Sequence, residues 1–248
     1  MTPLHFRGER LMLDPLGAVW WPAARLLAVA DLHLEKGSAC AAQGHLVPPW
    51  DTHATLERLA LLLRRHRPAR VVALGDSFHD QHGPGRMMSG DAARLRAMTE
   101  AVPFVWVLGN HDPALPGMTG TVTDTWAEGP FTFRHEAVQA AEGELCGHHH
   151  PKASVVTRAG TITRPCFVTD QRRLMLPSLG AYTGGLDLQH PAIAGLFHRT
   201  GRAFLLGENR LFSFALTQTV PGARAQAAQA RAAQMRALSM QQEGGNLS

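Results

Sequence analysis

Cysteine is scarce in this 248-residue chain: Cys40, Cys146 and Cys166 stand far apart, and no CxxC pair occurs. Three widely spaced thiols exclude a disulfide framework and a cysteine-type zinc site. Long apolar runs are missing as well, none reaching the ~18 residues that a membrane-spanning helix requires. The opening MTPLHFRGER lacks the basic-then-apolar order of a secretory signal. These absences lead to the expectation of a cytoplasmic protein with no membrane partner.

Lysine is the other shortage. Lys36 and Lys152 are the only two, so arginine supplies nearly all of the basic charge. The formal net charge is +4, an excess compatible with a polyanionic partner. An arginine skew also follows from a GC-rich genome, so the charge balance decides little. There is no internal repeat and no helix-turn-helix or zinc-finger pattern. Any nucleic-acid binding is therefore expected to use the backbone rather than base sequence.

What is present is a core-forming composition, 45% apolar and 18% charged, together with 14 histidines. Continuous apolar runs at 26–30 (LLAVA), 71–74 (VVAL) and 104–108 (FVWVL) suit strands buried on both faces. Between the first two, residues 49–67 carry Leu56, Leu59, Leu62 and Leu63 at helical spacing, and 90–101 also reads as a helix. Strands alternating with helices indicate βαβ units. The second half instead shows short strands at 131–134, 154–157, 161–163, 166–168, 174–176, 193–198 and 203–206, and the opening reads as a hairpin around DPLG. The expected fold is α/β (α+β), with two packed mixed sheets flanked by helices, in one domain over residues 1–217. An Ala/Gln/Arg-rich tail, 218–248, comes after it. It reads as a short exposed helix between 222 and 240 or as disorder, with a loose GGNLS end.

The polar residues of interest fall at strand ends. LLAVA runs into Asp31-Leu32-His33, VVAL into Gly75-Asp76, and FVWVL into Gly109-Asn110-His111-Asp112. Open α/β sheets carry ligand sites outside the carboxyl ends of their strands, so these loops should meet at one rim. The lone His135 follows an apparent strand, and Glu144-Leu145-Cys146 runs into Gly147-His148-His149-His150. Singly, each has a bland reading as a turn, a helix cap or a surface histidine. In this order, each at a strand end, they form a set. Imidazole, carboxylate and amide donors together suit Mn, Fe or Zn better than Ca or Mg.

The order D-x-H, G-D, G-N-H-D, lone His, G-H-x-H resembles the calcineurin-like metallophosphoesterases over roughly residues 26–151. The resemblance implies hydrolysis of phosphate esters at two divalent cations, Mn²⁺ first and Fe or Zn as alternatives. It implies one cation on Asp31, His33, Asp76 and His150, and a second on Asp76, Asn110, His135 and His148, with Asp76 bridging. Only two carboxylates then offset four positive charges, which leaves the centre attractive to a phosphate oxygen. The resemblance gives His111 to the substrate, as general acid and transition-state stabiliser, with Asp80 or Asp112 to orient its ring. Two departures stand out. The acid often found three residues after the G-D aspartate is replaced by His79, with Asp80 one later, and His135 is followed by Glu136 rather than a small residue. His149 occupies the variable position of G-H-x-H and by alternation should point away from the metals.

The DPLG hairpin with WWP, the strings LGDSFHD and GHHHP, and LPSLGAYTGGLD at 176–187 further resemble the bacterial DNA-ligase-associated metallophosphoesterases. That resemblance spans most of residues 1–215. It implies a DNA-repair phosphodiesterase or endonuclease, with DNA as substrate and ligase or helicase partners. Two other readings stand beside it: a hydrolase of small nucleotides or phosphomonoesters, and a non-catalytic scaffold that has kept the fold. The stretch 180–185 reads either as a tight loop needing positive φ or as a loop packed on the metal rim. Arg64, Arg65, Arg67, Arg94 and Arg96 read either as a solvated face or as phosphate contacts.

Overall fold

The computed structural model describes residues 1–223. It begins with β1 (Thr2–Phe6), β2 (Glu9–Leu13) and β3 (Val19–Trp21), an antiparallel meander that leads into β4 (Leu26–Val29). Helices then intervene: α1 (Lys36–Ala42) and α2 (Asp51–His66) before β5 (Arg70–Leu74), and α3 (Gly83–Arg86) and α4 (Ser89–Ala101) before β6 (Phe104–Val107) and β7 (Thr121–Thr123). These strands form one sheet in sequential order, parallel from β4 to β7.

The second sheet is built from β8 (Thr125–Glu128), β9 (Phe131–Arg134), β10 (Glu144–Cys146), β11 (Lys152–Thr157), β12 (Gly160–Thr169) and β13 (Arg173–Met175), then, after α5 (Pro191–Ala194), β14 (Arg202–Leu206) and β15 (Leu211–Ala215). Its order is β15-β14-β12-β13-β10-β9-β8, with β11 paired to β12. Three adjacent strands in it, β9, β10 and β13, are parallel. The fold is thus two mixed sheets flanked by helices.

Side-chain alternation along the strands explains the layers. Ala28, Val72, Leu74, Val105 and Val107 of the first sheet face Phe131, Phe133, Leu145, Phe167 and Phe204 of the second, forming the central core. The intervening residues, Leu27, Val29, Val71, Ala73 and Trp106, face Leu56, Leu59, Leu62, Leu95 and Met98 of α2 and α4. A third cluster covers the outer face of the second sheet with Ile193 and Phe197. Strands buried on both sides have no polar alternation to show, and this is why 26–30, 71–74 and 104–108 read as unbroken apolar runs. Cys146 and Cys166 are buried and all three cysteines are free.

The structure departs from expectation in three places. Residues 193–198 are not a strand: Pro191 opens the short helix α5, and the His190 ring accepts a hydrogen bond from the Ala192 amide, 3.2 Å, as its cap. Ile193, inside α5, and Phe197, beyond its end, both enter the third core. The runs at 161–163 and 166–168 belong to one strand, β12, which pairs with β11 up to Pro165 and with β13 and β14 beyond it. The packed chain also continues past residue 217, since Val220 N donates to Ser154 O, 2.9 Å, and Gly222 N to Asp187 Oδ2, 3.0 Å. The expected tail helix or disorder, from residue 224 onward, lies outside the described residues. No helix among the described residues is long and apolar enough to cross a membrane.

An ion pair, buried on the Asp14 side and open on the Arg65 side, joins the opening hairpin to the end of α2. Asp14, fully buried in the DPLG turn, accepts two bonds from Arg65 Nη1 (2.8 and 2.7 Å) and one from His66 Nε2 (2.9 Å). Burial alone would raise the Asp14 carboxyl, but the bonds from His66, the Leu16 amide and Arg65 outweigh it and hold it at about 2. Because the folded value lies below the ordinary 3.8, this stabilisation is complete above about pH 4 and fades as pH falls toward 2. Asp14→Asn is expected to cost about 3 kcal/mol, read by urea denaturation at neutral pH. The gap between variant and wild type should close in acid, and a variant as stable as wild type at pH 7 would refute the assignment.

Candidate metal centre

The parallel strands of both sheets deliver their carboxyl ends to one rim. β4 leads to Asp31 and His33, β5 to Asp76, β6 to Asn110 and His111, β9 to His135, and β10 to His148 and His150. The loops after β4 and β5 stay locked together beyond the sheet, with His33 N on Asp76 O (2.8 Å) and Leu34 N on Ser77 O (2.9 Å). In the second sheet, the loops after β9 and β10 are joined in the same way, with Gly147 N on His135 O, 2.9 Å. All seven residues expected to hold metal are thereby brought together.

Two of the motif glycines are where they are because another motif's carboxylate occupies their side-chain space. A β-carbon at Gly109 would overlap Asp76, and one at Gly147 would overlap Asp31. Backbone strain concentrates at the same place. Asp31, His33, Asp76, His148 and His150 all adopt left-handed φ, between 43° and 70°. Each such non-glycine residue costs roughly 1–2 kcal/mol, and strain of this kind persists only where the surroundings over-determine it.

The donors form two groups. In one, Asp31 Oδ1 lies 3.6 Å from His150 Nε2, and His150 Nε2 lies 3.1 Å from His33 Nε2. In the other, His135 Nε2 lies 2.9 Å from Asn110 Oδ1, 3.0 Å from His148 Nδ1 and 3.4 Å from Asp76 Oδ2. Asp76 Oδ2 reaches the first group too, 3.6 Å from His33 Nε2. Two nitrogens bound to a common ion at about 2.1 Å and at right angles would be about 3.0 Å apart, so both His–His spacings fit a shared cation. Tautomers agree. His135 Nδ1 is 3.0 Å from the Leu74 carbonyl and donates to it, which leaves Nε2 with its lone pair aimed at the group.

The electrostatics also favour neutral rings. Burial first, then the neighbouring His150, His111, His79 and Lys36, push His33 down to about 2. Burial and His135 lower His148. Neutral imidazole is the form that ligates.

His111 is the most exposed of these rings, with Nε2 4.0 Å from Asp76 Oδ2. Neither acid expected from the sequence orients it. Its Nδ1 donates to the carbonyl of His79, 2.7 Å. Asp80 instead holds Arg86 (2.7 Å) and the His82 amide (2.8 Å). Asp112 accepts the amides of Asp76, Ser77, Phe78 and Gly109, so it shapes two loops at once. Burial, aided by Asp76 and opposed by these amides, pushes its carboxyl up to about 6. His79, to which the motif order gives no role, stacks on His111 with ring centroids 4.9 Å apart and sits 3.3 Å from His33 Nδ1. Its place three residues after Asp76 is the signal that marks it. His149 lies outside both groups but not on the far side: it tilts against His148, beside Glu136.

The stretch after β13 packs on the rim, with Ser178 Oγ and Gly180 N on Asp31 O, 2.6 and 3.1 Å. It also carries the positive φ expected of it, at Gly185. The basic residues are elsewhere. Arg65 is committed to Asp14, and Arg94 to Glu57. The Arg64–Arg65 end of the 16-residue helix α2 lies about 20 Å along its axis from Asp51, whose carboxylate accepts the Gly37 amide.

A cage of buried carboxylates and imidazoles, open where His111 faces outward, is built for cations and an anionic ligand. Residues 24–206 match the family model described as Calcineurin-like phosphoesterase. The chain belongs to that family. This phosphoesterase is metal-dependent, as its donor set requires. It is 30% identical to the Pseudomonas putida nuclease MPE, whose crystal structure it matches with a TM-score of 0.65, over 85% of this chain and 99% of that one. It is also similar to Yfce, a phosphoesterase from E. coli, at 16% identity and a TM-score of 0.38, over 77% and 98% of the two chains. No curated protein sequence matches it.

The two acids should separate cleanly on mutation. Asp112→Ala removes the acceptor of four amides and is expected to cost about 3 kcal/mol and at least about tenfold in metal affinity. Asp80→Ala should change stability by no more than about 0.5 kcal/mol and leave phosphoesterase activity near wild type. Thermal denaturation, metal titration and a model-diester assay measure all three. A large activity loss in Asp80→Ala alone would restore it as the residue that orients His111.

Proposed function

We propose that this phosphoesterase uses two divalent cations, Mn²⁺ foremost, to hydrolyse phosphodiester bonds in DNA, in a repair context alongside ligase or helicase partners. Asp31, His33, Asp76 and His150 hold one cation, and Asp76, Asn110, His135 and His148 the other. The observation that carries the two-ion reading is the position of Asp76 Oδ2, between His33 Nε2 at 3.6 Å and His135 Nε2 at 3.4 Å. One carboxylate serves both groups. When bound, the pair supplies Lewis-acid activation of the phosphoryl group and of the attacking water.

The chain's own residues do the rest. With Nδ1 fixed on the His79 carbonyl, His111 turns Nε2 to the open side of the cage, where it can donate a proton to the leaving oxygen. The His111 amide donates to Asp76 Oδ1, 2.9 Å, so the general acid and the shared ligand keep a constant relation. Support for DNA comes from the likeness to a protein described as a nuclease and from the motifs shared with the ligase-associated branch.

Asp76→Asn is expected to disturb both cations and abolish turnover. His111→Ala should keep full metal content while slowing catalysis by roughly 10²–10³-fold. Elemental analysis beside kinetics tests this, and an emptied site in His111→Ala would make that residue a ligand instead. A panel of single-stranded DNA, nicked DNA, a model diester and a monoester tests the substrate, and activity confined to the monoester would remove the DNA reading.

A further inference from the structure

The strand β13 is the third parallel strand of the second sheet, and the loop beyond its carboxyl end reaches the same rim as the candidate ligands. That loop carries no metal donor there. It carries instead the only tyrosine of the chain, Tyr182. The loop is anchored on both sides of that ring: Gly180 N and Ser178 Oγ bond to Asp31 O, Ala181 N bonds to Thr55 Oγ1 (3.0 Å), and Leu186 N bonds to His149 O (3.1 Å). Arg58 Nη1 holds the Leu179 carbonyl, 3.0 Å. Tyr182 itself has φ 58° and is 46% exposed. A left-handed backbone costs a bulky residue about 1–2 kcal/mol, yet nearly half of this residue stays open to solvent.

Two concavities meet at this ring. One, of about 390 Å³, is lined by Pro15, Leu16, Arg58 and Gly180 together with Tyr182, and has Glu208 at its edge. The other, of about 370 Å³, is lined by Lys36, Cys40, Val47, Pro48 and Tyr182. Lys36 opens α1, three residues after His33. The segment that supplies Val47 and Pro48 leaves Leu46 and Trp50 largely exposed, so apolar surface continues outward from the ring.

We propose that Tyr182 is a stacking platform for an unpaired base of the polynucleotide, next to the phosphate being cut, with Lys36 and Arg58 beside the backbone on either side. The proposal rests on the nucleic-acid reading above and assigns the residue that grips the substrate beyond its phosphate. An exposed aromatic ring between two cationic side chains, on a loop bonded to Asp31 and His149 at the rim, suits the way proteins hold single strands without reading sequence. A small phosphomonoester would leave both concavities unused.

The test compares two fluorescein-labelled oligonucleotides of roughly twelve nucleotides, both with phosphorothioate backbones to slow cleavage. One is oligothymidylate and the other is abasic throughout. Binding to the manganese-loaded full chain is followed by anisotropy. Wild type should bind the thymidylate at least about fivefold more tightly than the abasic strand, the effect of about 1 kcal/mol of stacking. Tyr182→Gly, which suits the left-handed backbone, should lose that difference while binding the abasic strand as wild type does. Tyr182→Trp should keep it. If wild type binds both strands equally, or Tyr182→Gly keeps the preference, the platform is wrong while the nuclease reading stands. If wild type binds neither strand, the nucleic-acid reading falls and this proposal with it.

Discussion

The organisation of this protein depends on bringing nitrogen and oxygen donors from separate strands together at one rim. His33 and His150 face each other through Nε2 at 3.1 Å, while Nε2 of His135 and Nδ1 of His148 do so at 3.0 Å. His135 has given its one N–H to the Leu74 carbonyl, so its Nε2 presents only a lone pair toward the group. Lone pairs in opposition repel unless something positive lies between them. The carboxylates are partly answered by amides from other motifs, His148 N on Asp31 and His111 N on Asp76. The left-handed backbones of five donors follow the same logic: they are costly alone and acceptable only in a site whose completed form offsets them.

The two sheets exist in their observed arrangement to make this convergence possible. Parallel strands send their carboxyl ends the same way, and each sheet contributes three neighbours, β4-β5-β6 and β9-β10-β13. Five of the six ends carry candidate ligands or His111. The sixth carries the loop with Tyr182. Antiparallel neighbours, with ends alternating up and down, could not have brought so many side chains to one rim from so few loops.

Much of this is legible in the sequence because both-face burial and metal ligation leave strong marks. The runs at 26–30, 71–74 and 104–108 stand out since neither face tolerates polar residues, and the motif order places the candidate ligands. Other features leave no such mark. The strands β1, β8 and β15 alternate buried and exposed residues or lie at sheet edges, where apolar content is diluted. The segment 193–198 reads as a strand because of its apolar content, although Pro191 and His190 mark a helix start. The partner of His111 cannot be read at all. It is a backbone carbonyl, which any residue supplies, so the nearby acids draw the eye instead. Asp112 matters to the site, but through backbone amides rather than through the His111 ring. The basic cluster Arg64, Arg65 and Arg67 gives no hint that Arg65 is committed to a buried aspartate 51 positions away.

The cage also ties the two layers of the molecule to each other. On the proposed ligand assignment, neither cation is held by one sheet alone: the first takes Asp31, His33 and Asp76 from one layer and His150 from the other, while the second takes Asp76 and Asn110 against His135 and His148. The ions then act as bolts through the seam between the layers, and the fold and its cofactor become a single thermodynamic object. A ligand present at a hundred times its dissociation constant adds about 2.7 kcal/mol to the native state. The resistance of this protein to heat or proteolysis would therefore track the metal status of its surroundings, and starvation for the ion would loosen the scaffold as well as silence it.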